Sequence, residues 1–338
     1  MIYIGVDAHK SFSTFYGFAK PTGEVVLDED KVPTQAEAFT QLFGGCRWEQ
    51  AIATVEASNI SCFVAEMLQP FVERVVIADP KVVRQLVRYS RPKTDKVDAQ
   101  ELAWQLSQGL IHEVYQHTPD NLAQRALTRG LGSVTSNGTR LRNQIRSLLG
   151  QFGLDCPYRD LCGKAARQWL HNVELREPAG TVLQAMTQAL FDTQDQRQWL
   201  QKKVKATGRQ QEQAQLLQTV PGIGPQTALT IVSEVGDMRR FPNHAAFVNF
   251  CGLAPSTKQS GNFRRSGNLV KGNKHLKRAF TQAANSVARQ KGDTPLHQHY
   301  HRRLWSLGAN QAKLDTARKI ARITYAMLTR HEPYRYAN

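Results

Sequence analysis

The amino-acid sequence predicts an α/β domain in the first third of the chain and an all-α fold in the rest. Three observations lead to this prediction. Strand and helix patterns alternate over residues 1–120, no strand pattern occurs from Leu122 to Gln218, and the last third combines helical patterns with glycine-rich and proline-rich turns. A chain of 338 residues is long enough for two or three domains. The predicted domains are residues 1–120, 121–215 and 216–338.

The first third begins with strands and continues with alternating helices and strands. Ile2, Ile4 and Val6 alternate with other residues, and two further extended runs surround a turn at Pro21 to Gly23, which is the pattern of an antiparallel meander. The predicted segments are Ile2–Val6, Phe12–Ala19 and Glu24–Leu27 as strands, then helix Ala36–Leu42, strand Ala51–Val55, helix Ile60–Leu68, strand Arg74–Ala78 and a helix after Pro80. This is the element order of a ribonuclease-H-like domain.

The middle of the chain is predicted to be helical. Two long helices are expected around a segment at 150–178 that contains glycine, proline and cysteine, and Leu183, Met186 and Leu190 share one helix face. Such a stripe is typical of a core or of a seam with a partner helix. Residues 121–215 are therefore interpreted as a helical, coiled-coil arm and a candidate dimerisation element. A last helix is predicted from about Leu314 to a stop at Pro333.

Charge divides the chain into two unequal parts. The formal net charge is +16, but residues 1–120 carry 11 Lys and Arg against 16 Asp and Glu, a net charge of −5. The remaining residues carry 33 basic and 12 acidic side chains, a net charge of +21, and no acidic residue occurs between Asp237 and Asp293. Although a basic stretch can be a solvated surface, one of this length favours contact with phosphates. The partner is predicted to be a polyanion.

The sequence argues against several classes of protein. No run of about 18 apolar residues occurs, which argues against a membrane protein, and the N-terminus lacks the pattern of a secretory signal. Five cysteines are scattered without a Cys-x-x-Cys pair, which argues against a disulfide scaffold and a zinc knuckle. The sequence therefore predicts a cytoplasmic protein with reduced thiols.

Four carboxylates follow a pattern that predicts a metal centre. Asp7 and Glu56 each end an apolar strand, where a charge is costly unless a cation or donor offsets it. Asp95 and Asp98 lie three residues apart, on one face of a helix. Adjacent strands bring such positions to one edge of a sheet, and oxygen ligands favour Mg²⁺, with Mn²⁺ as an alternative. Two ions about 4 Å apart would clamp a phosphodiester.

Each of these carboxylates also has an ordinary structural interpretation. Asp7 could cap a strand end, Glu56 could pair with a lysine, and Asp95 could be a helix N-cap whose neighbour pairs with Lys96. Taken together, four such residues in the places where one domain type gathers them favour the metal centre. His9 and Lys10 lie beside this site in the sequence, and nothing in the pattern separates them from ordinary loop residues.

The last third contains a candidate backbone grip and a candidate nucleophile. Gly222 and Gly224 permit a tight hairpin between two helices, which resembles a helix-hairpin-helix and would offer amides to phosphate oxygens; a plain turn between core helices is the alternative. Ser260 precedes a glycine in a basic loop predicted to have no regular structure, and Ser256 and Ser266 are equally eligible by chemistry. The basic candidates for phosphate contact are Lys258, Arg264, Arg265, Lys271, Lys274, Lys277 and Arg278.

These motifs resemble a known family. The segments Gly5–Lys10, Val55–Ser58 and Lys93–Ala99 look like the Asp-Glu-Asp-Asp, RuvC-like half of the bridge-RNA-guided insertion-sequence transposases, relatives of the Piv DNA invertase. The second half of that family is matched by Pro221–Gly224, Gly252–Pro255, Ser260-Gly261, Lys271–Lys277 and Ala317–Arg322. The resemblance covers nearly the whole chain in the same order, although Asn262 stands where the family commonly has a second glycine.

The resemblance implies both an architecture and partners. It implies a RuvC-like domain, a coiled-coil arm and a C-terminal transposase domain whose nucleophilic serine falls on Ser260. It further implies double-stranded donor and target DNA, a structured noncoding RNA that pairs with both, and a homo-oligomer between a dimer and a tetramer. Such a protein would act on the bacterial nucleoid.

The resulting hypothesis is a site-specific DNA recombinase or transposase. Asp7, Glu56, Asp95 and Asp98 would bind Mg²⁺, and Ser260 would form a covalent phosphoserine–DNA intermediate. One alternative is a Holliday-junction or structure-specific endonuclease, which needs the carboxylates but activates water instead of Ser260. The other is a nucleic-acid-binding protein without catalysis, in which the carboxylates only pair with basic residues.

Overall fold

The computed structural model describes residues 1–45, 48–86, 94–260, 263–269, 271–290, 292 and 294–335. The chain divides into two compact units, Met1–His117 and Thr118–Asn338. None of the helices in the described part of the chain combines the length and the apolar character that crossing a bilayer requires.

The first unit contains a mixed sheet with helices. Within its described residues the elements are β1 (Ile2–Ala8), β2 (Phe12–Ala19), β3 (Val25–Pro33), α1 (Ala36–Phe43), β4 (Ala51–Glu56), α2 (Ser61–Leu68), β5 (Arg74–Ala78), α3 (Pro80–Leu86) and α4 (Asp95–Ser107). The five strands are ordered β3-β2-β1-β4-β5. Strands β1, β2 and β3 pair antiparallel, whereas β4 pairs parallel with both β1 and β5. The predicted order of strands and helices is confirmed, and β3 extends beyond the predicted Leu27.

The core of the first unit holds the central strands in place. Ile4, Val6 and Val55 are completely buried, and the ring of Phe15 makes edge contacts with Phe39 and Phe43. Aromatic pairs of this kind contribute about 0.5–1.5 kcal/mol each beyond the burial of their area. Asp7 and Glu56 directly follow the buried residues Val6 and Val55, so this packing holds the strand ends that carry them.

Helix α4 approaches β1 so closely that only glycine fits at position 5. A Cβ atom on Gly5 would lie 1.9 Å from the carbonyl oxygen of Ala99 and 2.5 Å from the amide nitrogen of Ala103. Both of these are backbone atoms, so no change of side-chain rotamer could relieve the clash. Gly5 therefore allows α4 to cross the middle of the sheet in direct backbone contact with β1.

The second unit is built mainly of helices. Within its described residues they are α5 (Pro119–Gln151), α6 (Lys164–Asn172), α7 (Ala179–Arg209), α8 (Glu212–Leu217), α9 (Pro225–Val235), α10 (His244–Phe250), α11 (Lys274–Arg289) and α12 (Pro295–Arg330), with one short 3-10 turn at Met238–Arg240. Two strands, β6 (Pro255–Ser260) and β7 (Phe263–Leu269), form an antiparallel hairpin.

The two long helices predicted for the middle of the chain are confirmed. Helices α5 and α7 pack against each other, and a cluster at one end combines Ile145 and Leu149 of α5 with Leu183 and Leu190 of α7. Leu131 and Val204 pack together further along the pair, so the two helices run antiparallel. The stripe of Leu183, Met186 and Leu190 thus faces a partner helix of the same chain.

Two predictions for the last third are wrong. Ser260 was expected in a loop, but it is the last residue of β6; the segment lacks an apolar alternation, and strand formation depends on pairing partners more than on local preference. The last helix was expected to begin near Leu314, but α12 begins at Pro295 and is interrupted at Gly308, where φ is 74°. Its end at Arg330, just before Pro333, agrees with the sequence.

A buried carboxylate joins three elements of the second unit. Glu234 of α9 is completely buried, and Arg129 of α5 donates to both of its oxygens at 2.6 and 2.8 Å. Asn273, the N-cap of α11, donates to the same carboxylate at 2.8 Å. Burial raises the pKa of Glu234, but the hydrogen bonds from Arg129 and Asn273 outweigh it and hold that pKa below its usual value.

We expect Gly5→Ala to destabilise the protein by about 3 kcal/mol, at the upper end of the usual cost of overpacking, because the new methyl group meets only backbone atoms of α4. The measurement is the free energy of unfolding of the full chain in urea. Gly45→Ala is the matched control, since nothing lies within 4 Å of a Cβ at that position. Equal stabilities of the Gly5 and Gly45 variants would contradict the close approach.

We expect Arg129→Ala to lower the free energy of unfolding in urea by about 3 kcal/mol near neutral pH, because the substitution leaves the charge of Glu234 buried with fewer partners.

Since folding lowers the pKa of Glu234, the stabilising contribution of this carboxylate exists above the usual glutamate pKa of about 4.3 and is lost as pH falls through the lower folded value. Glu234→Gln should therefore lose less stability on acidification than the wild type in urea unfolding, whereas the exposed Glu174→Gln should behave as the wild type. An unchanged acid dependence in Glu234→Gln would contradict the network.

Candidate metal centre and nucleic-acid interface

Two neighbouring parallel strands bring the first two carboxylates together. The register pairs Val6 of β1 with Val55 of β4, and Asp7 and Glu56 are the next residues of the two strands. Asp7 is partly buried, with 20% of its side chain exposed, and the guanidinium of Arg84 lies 3.8 Å from Glu56 Oε1. The structure thus places Asp7 and Glu56 at the same edge of the sheet, as the strand pattern predicted.

The first turn of α4 supplies the other two carboxylates. Asp95 and Asp98 both lie in this turn, and Thr94 is the N-cap, its hydroxyl accepting a hydrogen bond from the amide of Val97. The alternative in which Asp95 caps the helix is therefore wrong. The alternative in which a neighbouring aspartate pairs with Lys96 is not supported either, because Lys96 Nζ contacts Asp28 Oδ2 of β3 at 2.6 Å.

His9 joins this cluster, which the sequence pattern did not reveal. Its Nε2 atom lies 3.3 Å from Asp7 Oδ2 and 3.5 Å from Asp95 Oδ1. One ligand atom from each of Asp7, His9 and Asp95 lies within 4.8 Å of the other two. The only available signal was the position of His9 two residues after Asp7, which does not distinguish a site residue from a loop residue.

The electrostatics of the cluster favour a bound cation. Burial raises the pKa of Asp7, and the negative charges of Asp95 and Asp98 raise it further, while His9 opposes the shift. The carboxylates therefore repel one another in the absence of added positive charge. A divalent ion would remove this repulsion, and a set of carboxylate oxygens suits Mg²⁺ or Mn²⁺. The residues present thus fit a divalent metal centre.

The turn between α8 and α9, which contains Gly222 and Gly224, is packed at the first glycine and open at the second. Gly222 has a φ of 92°, and a Cβ there would lie 2.6 Å from the carbonyl oxygen of Ala283 in α11, so packing alone requires glycine. Gly224 is the exposed N-cap of α9, with nothing within 4 Å of a Cβ. A groove of about 640 Å³ runs along residues 218–224. Contact of either glycine with nucleic acid stays a prediction.

Basic residues line the start of α11 and the hairpin before it. Lys271, Lys274 and Arg278 are exposed, and Lys277 is half-buried. Within α11, positions 274, 277 and 278 share one face of the helix, opposite the buried face that includes Leu276 and Phe280. In the strand hairpin the backbone pairs Lys258 with Arg265 and Ser260 with Phe263, and Arg264 pairs with Gln259. The side chains of Lys258, Ser260, Arg264 and Arg265 lie outside the described part of the structure.

Two family models match successive parts of the chain. A transposase model named for the DEDD motif and the IS110 element matches residues 4–153, a range that includes all four carboxylates. A model described as the transposase IS116/IS110/IS902 family matches residues 214–301, a range that includes Ser260 and most of the basic candidates. Both models describe transposases of the same group of elements.

Named proteins of several bacteria are similar in sequence to most or part of the chain. A probable family 20 transposase of Pseudomonas aeruginosa is 27% identical over 98% of this chain and 98% of its own length. The transposase for insertion sequence element IS1111A of Coxiella burnetii is 27% identical over 85% of this chain and 82% of its own. A pilin gene-inverting protein of Moraxella bovis is 29% identical over 39% of this chain and 41% of its own.

We expect Asp98→Asn to lower the pKa of Asp7, because it removes one of the two like charges that raise it. The measurement is a titration of carboxyl resonances in the full chain labelled with ¹³C-aspartate and kept free of divalent ions. Asp79→Asn is the matched control, because Asp79 directly follows β5 and lies outside the cluster. This substitution should leave the pKa of Asp7 unchanged. An Asp7 pKa that does not fall in Asp98→Asn would contradict the clustering of these carboxylates.

Proposed function

We propose that the chain is a transposase of the IS116/IS110/IS902 family, whose models match residues 4–153 and 214–301. It would perform site-specific recombination of an insertion sequence through metal-dependent cleavage and rejoining of DNA. The two family matches and the named transposase relatives support a role as a DNA transposase or recombinase. The observation that carries the finer proposal is the group of carboxylates at the edge of the sheet, where Asp7 lies beside Asp95 and the pKa of Asp7 is raised by burial and by the charges of Asp95 and Asp98.

In this proposal the first unit is a ribonuclease-H-like, RuvC-like catalytic domain. The mixed order β3-β2-β1-β4-β5, with three antiparallel strands followed by two parallel ones, supports it. Asp7, Glu56, Asp95 and Asp98 would hold Mg²⁺, with Mn²⁺ as an alternative. The bound ion would supply Lewis-acid polarisation of the phosphodiester and lower the pKa of a coordinated hydroxyl. Backbone contact between α4 and β1 holds Asp95 and Asp98 near Asp7, and the parallel pairing of β1 with β4 holds Glu56 at the same edge.

Ser260 is the proposed nucleophile. Its hydroxyl oxygen would attack the scissile phosphorus and lose its proton, one deoxyribose hydroxyl would leave as the phosphoserine bond forms, and the hydroxyl of another DNA end would later attack the phosphoserine and restore the serine. The match of residues 214–301 to the family supports this role, because the match includes Ser260. The strand register pairs Ser260, the last residue of β6, with Phe263, the first residue of β7.

The second unit is proposed to bind nucleic acid and to assemble the complex. Residues 216–338 would form the transposase domain, in which the exposed Lys271, Lys274 and Arg278 contact phosphates together with Lys258, Arg264, Arg265 and Lys277. Residues 121–215 would form a coiled-coil arm of a dimer or tetramer, supported by the antiparallel pair α5 and α7. The partners would be double-stranded donor and target DNA and a structured noncoding RNA that guides their pairing.

We expect Asp98→Ala to abolish strand cleavage while DNA binding is retained, and Ser260→Ala to abolish the covalent protein–DNA adduct. The measurement is a denaturing gel of labelled DNA ends incubated with the protein, Mg²⁺ and the RNA that co-purifies with it. Asp120→Ala, an exposed aspartate in the first turn of α5, and Ser256→Ala and Ser266→Ala are the matched controls. Normal cleavage by Asp98→Ala would refute the metal centre, and hydrolysis without an adduct by Ser260→Ala would favour the endonuclease.

A further inference from the structure

His9 is held beside the carboxylates by its own backbone. Its amide donates to the carbonyl of Phe12 at 2.9 Å, and its carbonyl accepts a hydrogen bond from the hydroxyl of Thr34 at 2.9 Å. The imidazole packs against the ring of Phe12, with ring centroids 5.0 Å apart. Since the turn between β1 and β2 is anchored in this way, the direction of the His9 side chain toward Asp7 follows from the fold.

The distances in this cluster suit ligands of one ion. Nε2 of His9 lies 3.3 Å from Asp7 Oδ2 and 3.5 Å from Asp95 Oδ1. Charge-assisted hydrogen bonds between nitrogen and carboxylate are usually shorter, about 2.7–2.9 Å. Two ligand atoms at about 2.1 Å from the same ion stand about 3.0 Å apart in octahedral and about 3.4 Å apart in tetrahedral geometry. The three side chains could therefore close on one ion with little movement.

From this geometry we infer that His9 is a nitrogen ligand of the metal centre, together with Asp7 and Asp95. The inference rests on the proposed function, and it goes beyond the four carboxylates because it adds a ligand of another chemical class. Oxygen ligands bind Mg²⁺ well, whereas imidazole nitrogen favours first-row transition ions, in the affinity series that begins with Mn²⁺. His9 therefore shifts the preference of the site from Mg²⁺ toward Mn²⁺.

Electron spin echo envelope modulation of Mn²⁺ bound to the full-length protein tests this inference directly, because it detects a nitrogen nucleus coupled to the ion. We expect ¹⁴N modulation in the wild type, a change to the ¹⁵N pattern when the protein is labelled with ¹⁵N-histidine, and loss of modulation in His9→Gln with Mn²⁺ still bound. His171→Gln, an exposed histidine of α6, is the matched control and should keep the modulation.

Calorimetric titration with Mn²⁺ and Mg²⁺ supplies a second measurement. We expect His9→Gln to weaken Mn²⁺ binding at least about tenfold and to change Mg²⁺ binding much less. Thermal unfolding of the metal-free variant, compared with that of the wild type, shows whether the turn still folds. Metal binding is compared only between the wild type and variants whose thermal unfolding matches that of the wild type. If His9→Gln unfolds differently, His9→Asn replaces it.

The outcomes separate this inference from the proposed function. If wild-type protein binds Mn²⁺ without nitrogen modulation, or if His9→Gln binds both ions as the wild type does, His9 is not a ligand and the carboxylate centre stands. If the wild type binds neither ion, or if Asp95→Ala binds both as tightly as the wild type, the proposed metal centre fails and the inference fails with it.

Discussion

The backbone contact between β1 and α4 is the constraint on which the candidate centre depends. Gly5 lets the backbone of α4 at Ala99 and Ala103 approach the strand where any side chain would collide. The same strand carries Asp7 near its end, and the first turn of the same helix carries Asp95 and Asp98. If β1 and α4 were further apart by the width of one methyl group, Asp95 and Asp98 would move away from Asp7. The absence of a side chain at Gly5 thus brings Asp7, two residues further along β1, close to Asp95 and Asp98 at the start of α4.

The pKa values of two buried or partly buried carboxylates, Glu234 and Asp7, shift in opposite directions. Glu234 has Arg129 and Asn273 as partners, its pKa is lowered, and it holds three elements of the second unit together. The pKa of Asp7 is raised by burial and by the nearby charges of Asp95 and Asp98, and His9 opposes this shift. The charge of a structural carboxylate is balanced by basic groups of the same chain. At a cation-binding site, the negative charges of the carboxylates remain unbalanced until the cation binds.

Local patterns were sufficient where the physical cause is local. Alternating apolar residues predicted β1, and the stripe of Leu183 and Leu190 predicted that α7 packs against another helix, because burial of one face leaves a periodic trace in the sequence. The hairpin at Pro255–Ser260 left no such trace, since its strands have polar and basic residues and form by pairing with each other. Glu234 was also missed, although a charge within the apolar run from Ile231 to Val235 was a signal of a buried ion pair.

The sequence by itself determined the order of strands and helices in the first unit and the positions of Asp7 and Glu56 after buried strand residues, because strand periodicity states which residue follows each buried run. The spacing of three residues likewise put Asp95 and Asp98 on one helix face. Only the tertiary structure decided that His9 joins Asp7 and Asp95, that Gly5 must be a glycine and that Arg129 is the partner of Glu234. These three facts depend on contacts between residues far apart in the chain or on the direction of one side chain. Such contacts arise from packing, which no spacing along a single segment records.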